Sequence, residues 1–261
     1  MNSDLVIEGL TRTIADVDIS DSRYSVRLAR SSKEIESALG LRFEVFKCEL
    51  SNEGVGPDSS RLEFDAYDFK CDHLIVVENI SGKTVGTYRL NSIESAITSR
   101  GFYSYEEFCI EDLSDDVLRN GIEIGSACIA KEHRNTKVLF LLWKGLASYL
   151  KQAGKQFFFG CCSIFSDDVL VGEKAYRKLL DDDCLHPDLW IRPRQNAIYL
   201  DSEISENEGP VELPNLFNMY LRMGAKVCGP PMIDREFGTI DFFVVFDVQT
   251  MNEKYRKMFF S

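Results

Sequence analysis

The chain is expected to fold as a mixed α/β domain, a central sheet with helices on both faces. Three observations lead there. Strand-like apolar runs are interspersed with segments of helical period along the sequence. Two of the runs, His73 to Glu78 and Val85 to Leu90, are joined at Ser81-Gly82, which reads as a hairpin, so the sheet is not purely parallel. The run from Lys155 to Ile164 contains FFFGCCSI, apolar enough for a central strand covered on both sides.

The other elements follow in order. Residues 1–23 are polar and acidic with little periodicity, and are expected to be a flexible arm. A single domain is expected over 24–249 and a short tail over 250–261. Ser25 to Ala29 reads as the first strand. Ser31 and Glu34 fit a capping box that opens a helix running to about Leu50, with Ile35, Ala38, Leu39, Phe43 and Phe46 on one face. Residues 51–71 are rich in Gly, Ser and Asp and read as a loop over a site. Short helical pieces are expected over 94–120. An apolar strand, Ile122 to Ala130, then runs through a basic turn into a long helix. A further helix is expected over 172–183. Irregular chain holding three of the seven prolines is expected over 186–212. Leu213 to Met223 reads as a helix with Pro214 near its first turn. Gly238 to Val248 contains the strand IDFFVVFDV.

Composition excludes several classes. With 261 residues, 44% hydrophobic and 28% charged, the chain is long enough for a sizeable core. A formal charge of −12 argues against nucleic-acid binding. No uncharged apolar run reaches the roughly 18 residues of a membrane span. The start, MNSDLVIEGL, has no secretory pattern, so a cytoplasmic location is expected. The eight cysteines form no CxxC pair and read as small core residues in a reducing compartment. The three histidines (73, 133, 186) are widely spaced, so no metal site is expected.

Against this acidic background, Lys131 to Lys155 carries six Lys or Arg and one acid, Glu132. A strand feeding a basic turn at a helix N-terminus suits a phosphate, held by backbone N–H groups and the helix dipole. His133, Arg134 and Lys137 are the candidate anchors. Lys144, Lys151 and Lys155 lie further along, either as a dock for an acidic partner or as a solvated face.

This strand–turn–helix resembles the donor-binding motif of the GNAT acyltransferases, although Arg134 is kept and the turn's glycines are absent. LRFEVF (41–46), FDAYD (64–68), GTYRL (86–90), GFYS (101–104) and EIGSACI (123–129) follow in the order seen in acyl-homoserine-lactone synthases, with Ser126 where those carry a second Arg. A fuller series resembles bacterial ornithine N-acyltransferases: Val85–Leu90, Gly101–Ser104, Glu123–Ile129, Leu141–Tyr149, Gly160–Ser163, Tyr220–Ala225 and Ile233–Asp241.

The resemblance implies a GNAT-like mixed sheet and transfer of a long acyl chain, with or without a 3-hydroxyl. The donor would be acyl carrier protein, the acceptor the α-amine of an amino acid, and no cofactor would be bound. Ornithine is the implied acceptor, with glycine as rival. A lactone synthase and a non-catalytic lipid- or partner-binding module stay open. The implied catalytic strand positions are Glu123, Ser126 and Cys128. Glu123 orients or deprotonates the amine, its basicity raised by burial, or else pairs structurally with Arg89 or Arg42. A backbone N–H between Cys128 and Ala130 polarises the thioester carbonyl, so Ile129 and Ala130 join the donor site. Arg42, Phe46, Asp65, Asp68 and Arg89 are the implied acceptor residues, or an ion-pair network without substrate contact. The basic, aromatic tail would lean on the inner face of an anionic bilayer or dock on the protein.

Overall fold

The computed structural model describes residues 14–50, 60–200 and 211–260. Residues 1–13 of the expected arm and 51–59 of the expected loop lie outside the described residues. The chain runs β1 (Asp18–Ser20), β2 (Tyr24–Leu28), α1 (Ser32–Phe43), a π-helical segment (Glu44–Leu50), β3 (Asp72–Glu78), β4 (Thr84–Ser92) and α2 (Ile93–Ala96). It continues with α3 (Asp115–Asn120), β5 (Gly121–Ile129), α4 (Thr136–Gln152), β6 (Phe157–Ile164) and α5 (Val169–Asp181). It ends with α6 (Asn215–Met223), β7 (Lys226–Val227), β8 (Met232–Asp234), β9 (Thr239–Asp247) and α7 (Glu253–Phe259). The elements fall into two compact units, one built from the chain up to Phe102 with Ile122–Lys155 and Phe259 onward, the other from Tyr103–Gly121 and Gln156–Met258.

In the first unit β1 to β5 pair antiparallel in sequence order. β1 extends order into the arm expected to be loose. Its residues pair Asp18 with Arg27 and Ser20 with Ser25. The two faces of the sheet can be read from β3, because side chains alternate along a strand. Ile75 and Val77 pack with Ala38 of α1. Leu74 and Val76 face the other way, onto α4. There a side chain added at Gly145 would lie 3.0 Å from Leu74, and one at Gly86 would lie 3.2 Å from Val138. These two glycines let helix and sheet approach closely. β3 is thus covered on both faces, which explains the apolar run LIVV in an antiparallel strand. Val138, Leu142, Leu146 and Leu150 of α4 are all buried, each worth about 1.5–3 kcal/mol of burial. Phe259 packs on Phe140 at 5.4 Å and Trp143 at 5.9 Å.

α1 starts as its sequence predicts, with the Ser31 side chain accepting from the Glu34 N–H. It does not stay α-helical to Leu50 but widens to a π-helix after Phe43.

In the second unit β6 pairs along its whole length with β9, from Phe157 opposite Asp247 to Ile164 opposite Ile240. β7 and β8 also pair with β9. Phe217 of α6 packs on Phe242 at 5.5 Å. α5 starts at Val169, earlier than expected, because Asp168 caps it by accepting from the Leu170 N–H. Pro214 caps α6 rather than entering its first turn, and Gly224 ends it with φ 116°. No helix among the described residues is long and apolar enough to cross a membrane. The fold is a mixed α/β architecture with helices on both faces of a largely antiparallel sheet, as the patterning predicts.

Candidate active site

β5 carries the centre of the candidate site, and a bulge in it decides what faces what. Thr87 pairs with Cys128 and Arg89 with Gly125, so Tyr88 alone stands opposite both Ser126 and Ala127. Ser126 takes the extra-residue position in the left-handed region, φ 48°. In a regular strand Glu123 and Cys128 would point to opposite faces. The bulge puts both on the α1 face, together with Arg89, which is opposite Gly125, and Asn91, which is opposite Glu123. Glu123 is buried there, as are Arg89 and Asn91.

Cys128 packs with Leu41 of α1 and Val45 of the π-helix, with Phe46 and Ala130 alongside. Burial pushes its thiol up to about 12, so it is a protonated packing group at neutral pH. The Ala130 N–H is already donated to the Val85 carbonyl at 2.9 Å. Because Gly86 pairs with Ile129, the alternation of antiparallel pairs turns the Ile129 N–H away from β4.

Four of the five expected acceptor residues form one ion network on the α1 face, buried at Arg42, Asp68 and Arg89 and half-buried at Asp65. Arg42, in the last turn of α1, donates to Asp68 at 2.6 Å. Arg89 donates to both oxygens of Asp65 at 2.7 and 2.6 Å and to Asp68 at 3.2 Å. The Asp65 N–H closes the loop by donating to Asp68 at 2.8 Å. Burial alone would raise the Asp68 carboxyl, but the guanidinium groups of Arg42 and Arg89 outweigh it and hold it below the usual range. Burial keeps His73, against Asp68, below the usual imidazole value despite that carboxylate. The Arg42 Nε–H is buried without a hydrogen-bond partner among the described residues. Phe46 belongs instead to the apolar patch around Cys128.

The basic turn is more self-contained than its sequence implies. Asn135 caps α4, accepting from the N–H groups of Lys137 at 3.0 Å and Val138 at 3.1 Å. Two of the helix donors expected for a phosphate are therefore taken. The candidate cations are also engaged. Arg134 makes a bidentate pair with Glu49 and donates to the Ile129 carbonyl at 3.1 Å. Lys137 pairs with Asp21 at 3.1 Å, and His133 hydrogen-bonds the Tyr24 hydroxyl at 3.0 Å. Lys155, expected on an exposed docking face, is 8% exposed and bound to Glu94 at 2.7 Å. It joins the interior because the chain turns there from α4 toward β6.

Sequence reading missed His73, Tyr24, Asp21, Glu49 and Asn135 as parts of this region. Asn135 carried a usable signal, an Asn just before a helical run. His73 lies only five residues beyond Asp68, and Tyr24, Asp21 and Glu49 reach the turn through pairing between distant elements.

A family described as an acetyltransferase (GNAT) domain matches residues 41–144, from the end of α1 to the middle of α4. An L-ornithine N(alpha)-acyltransferase of Rhodobacter capsulatus is 31% identical over 249 residues, covering 90% of this chain and 94% of that protein. One from Brucella abortus is 32% identical over 245 residues, covering 88% and 86%. Among solved structures, the AHL synthase LasI aligns with a TM-score of 0.51 at 14% identity, over 92% of this chain and 96% of that one, a likeness of fold. The chain belongs to the family of L-ornithine N(alpha)-acyltransferases.

Proposed function

We propose that this protein transfers an acyl group from a thioester donor to the α-amine of ornithine. The observation that carries the reading is the bulge at Ser126, which brings Glu123 and the Cys128–Ile129 segment to one working strand in a chain of this family. The amine nitrogen attacks the thioester carbonyl, the C–S bond breaks, and the donor leaves as a thiol. The nitrogen must shed one proton, which Glu123 takes directly or through water. The carbonyl oxygen gains charge as the bond forms, and the outward-facing Ile129 N–H is the donor for it. Cys128 stays a packed thiol, so no acyl-enzyme forms.

The Arg42–Asp68–Arg89–Asp65 network holds α1 and the loop before β3 beside this strand. Its spare donor, the Arg42 Nε–H, is the group offered to the acceptor's carboxylate. Arg134 and Lys137 anchor the phosphate of the donor by exchanging Glu49 and Asp21 for it. Such partly exposed pairs hold only about 0–1 kcal/mol, so the exchange costs little. The donor that fits this anchor is a phosphopantetheine thioester on acyl carrier protein, whose acidic surface suits Lys144 and Lys151.

The test is mass spectrometry of lipid extracts from cells expressing the parent or Glu123→Gln. The parent is expected to yield N-acylornithine, and the substitution to lower its formation by about 10²–10⁴-fold with the fold intact. Equal product from both would remove Glu123 from the chemistry. N-acylglycine in place of N-acylornithine would reassign the acceptor.

A further inference from the structure

Asn91 of β4 pairs directly with Glu123 of β5. Their side chains share the α1 face, and residues so paired have Cβ atoms about 4.5–5.5 Å apart. Both are buried, Asn91 at 2% exposure and Glu123 at 6%. The two edges of the Asn91 amide are used differently. Its NH₂ edge donates to the Gly101 carbonyl at 3.1 Å. Gly101 is itself tied down, its N–H donating at 3.1 Å to the carbonyl of Ala96, which ends α2. A carbonyl only accepts, so this contact fixes which way round the amide sits and turns its oxygen edge away from Gly101. That oxygen, Asn91 Oδ1, is sealed from solvent and has no hydrogen-bond partner among the described residues. Asn91, Gly101 and Glu123 all belong to the first unit.

A buried amide oxygen left unpaired costs about 1–3 kcal/mol. A carboxylate across the strand pair does nothing for it, because a carboxylate only accepts. A carboxylic acid carries one O–H donor. Glu123 therefore becomes a partner for Asn91 when it gains a proton. The charged and titratable groups bordering this face are Arg89 of β4, Arg42 of α1, His73 of β3, Cys128 of β5, and Asp65, Tyr67, Asp68 and Cys71 of the loop before β3. The arginines and aspartates pair with one another, and burial keeps both thiols protonated.

We propose that Asn91 is the positioning residue for the proton that Glu123 accepts, with the protonated Glu123 carboxyl donating to Asn91 Oδ1. This rests on the reading that Glu123 takes the amine's proton. As the nitrogen bonds to the thioester carbon, its N–H bond breaks and the electron pair stays on nitrogen. The proton joins a Glu123 oxygen, and the new O–H turns to Asn91. When the C–S bond breaks, the proton passes through water to the thiolate and Glu123 is a carboxylate again. A hydrogen bond that exists only in the protonated state favours that state and makes Glu123 a stronger base.

The test is Asn91→Leu, similar in volume and without an acceptor, assayed with ornithine and acyl carrier protein thioester. Its kcat is expected to fall about five- to tenfold with KM changed less than about twofold, the loss of one hydrogen bond made during the reaction. The acid limb of its kcat/KM profile should move down by about half to one pH unit. An apolar neighbour alone would move it up, so a fall reads the lost hydrogen bond. Carbon-13 NMR of glutamate-labelled protein follows the same titration without turnover, the Glu123 signal being assigned by its loss in Glu123→Gln. A lowered midpoint in Asn91→Leu supports the proposal. A midpoint that stays or rises overturns it and leaves Asn91 a structural amide, its oxygen bridged by water. If Glu123→Gln turns over like the parent, the reading of Glu123 as proton acceptor has failed, and the NMR midpoint still decides whether the two side chains share a proton. If Asn91→Leu does not fold, Asn91→Ala is read in the same way.

Discussion

Each unit buries one cluster of charge, and the two are completed in different ways. In the first unit Arg42 and Arg89 face Asp65 and Asp68, so cations and anions match and nearly every polar atom has a partner. In the second, Glu107, Asp234 and Asp241 gather without a Lys or Arg partner among the described residues. Burial is similar in both, yet Asp68 is held below its ordinary value and Glu107 is pushed up to about 8. The partner, not the burial, sets the direction. A matched cluster is finished by the chain itself and serves as a brace. The unmatched one is held by neutral donors, Ser163 and Thr239 on Asp241 and backbone N–H groups on Asp234.

The largest effect should come from unbalancing the matched cluster. Arg89→Met leaves Asp65 and Asp68 short of their shared partner, and breaking a buried pair from one side costs about 3–5 kcal/mol. Urea denaturation is expected to show that loss. A change below about 1 kcal/mol would mean that Arg42 alone compensates both acids. The pH dependence has a defined sign. Asp68 has a lowered folded value, so its stabilisation is present above its unfolded value of about 3.9 and is lost as pH falls through the folded one. The variant should lose this acid sensitivity.

The unmatched cluster should respond with the opposite sign. Glu107 has a raised folded value, so between about 4.3 in the unfolded chain and about 8 in the folded one the folded state holds the extra proton. Stability therefore falls as pH rises through that window. Glu107→Gln removes this contribution. It is expected to melt about 2–4 °C above the parent at pH 8.5, with a smaller difference at pH 5.5. Scanning calorimetry at the two values measures it. A variant less stable than the parent at both would show that the acid is a structural member of the core.

Why one cluster was legible in the sequence and the other was not follows from how each is assembled. Arg42, Asp65, Asp68 and Arg89 sit in the segments that carry the resemblance to acyl-homoserine-lactone synthases, so the resemblance grouped them before any contact was known. Spacing alone could not have done so, since they come from a helix, a loop and a strand. Glu107, Asp234 and Asp241 are brought together by the β8–β9 turn, by β9 and by a loop after a short turn, with no local pattern in common. The elements themselves were readable where one local force dominates: the Ser31 cap, the α4 amphipathic run and the largely apolar β6. The bulge at Ser126 was not readable, because no glycine marks its left-handed position. Nor was the widening of α1 after Phe43, where each hydrogen bond moves to the next carbonyl back and no residue type marks the change.

The smallest expected effect on stability lies at the surface, in the Arg134–Glu49 pair, and it bears on a third way of handling charge. Their side chains are 40% and 26% exposed, so removing the pair should change stability by less than about 1 kcal/mol. If the pair were a structural tie, Arg134→Gln and Glu49→Gln would have similar consequences, since either substitution breaks the same contact. If Arg134 anchors the donor's phosphate, Glu49 competes with that phosphate for one guanidinium. Arg134→Gln should then raise the donor KM by about tenfold, in line with the loss of one charge-assisted hydrogen bond. Glu49→Gln should lower it several-fold by leaving Arg134 unengaged. Raising salt from 50 to 300 mM should narrow both differences, because the side chains are accessible to counter-ions. Steady-state kinetics on the two variants reads the sign directly. Changes in the same direction would return Arg134 to a purely structural part and leave Lys137 and His133 as the anion-binding groups of the turn.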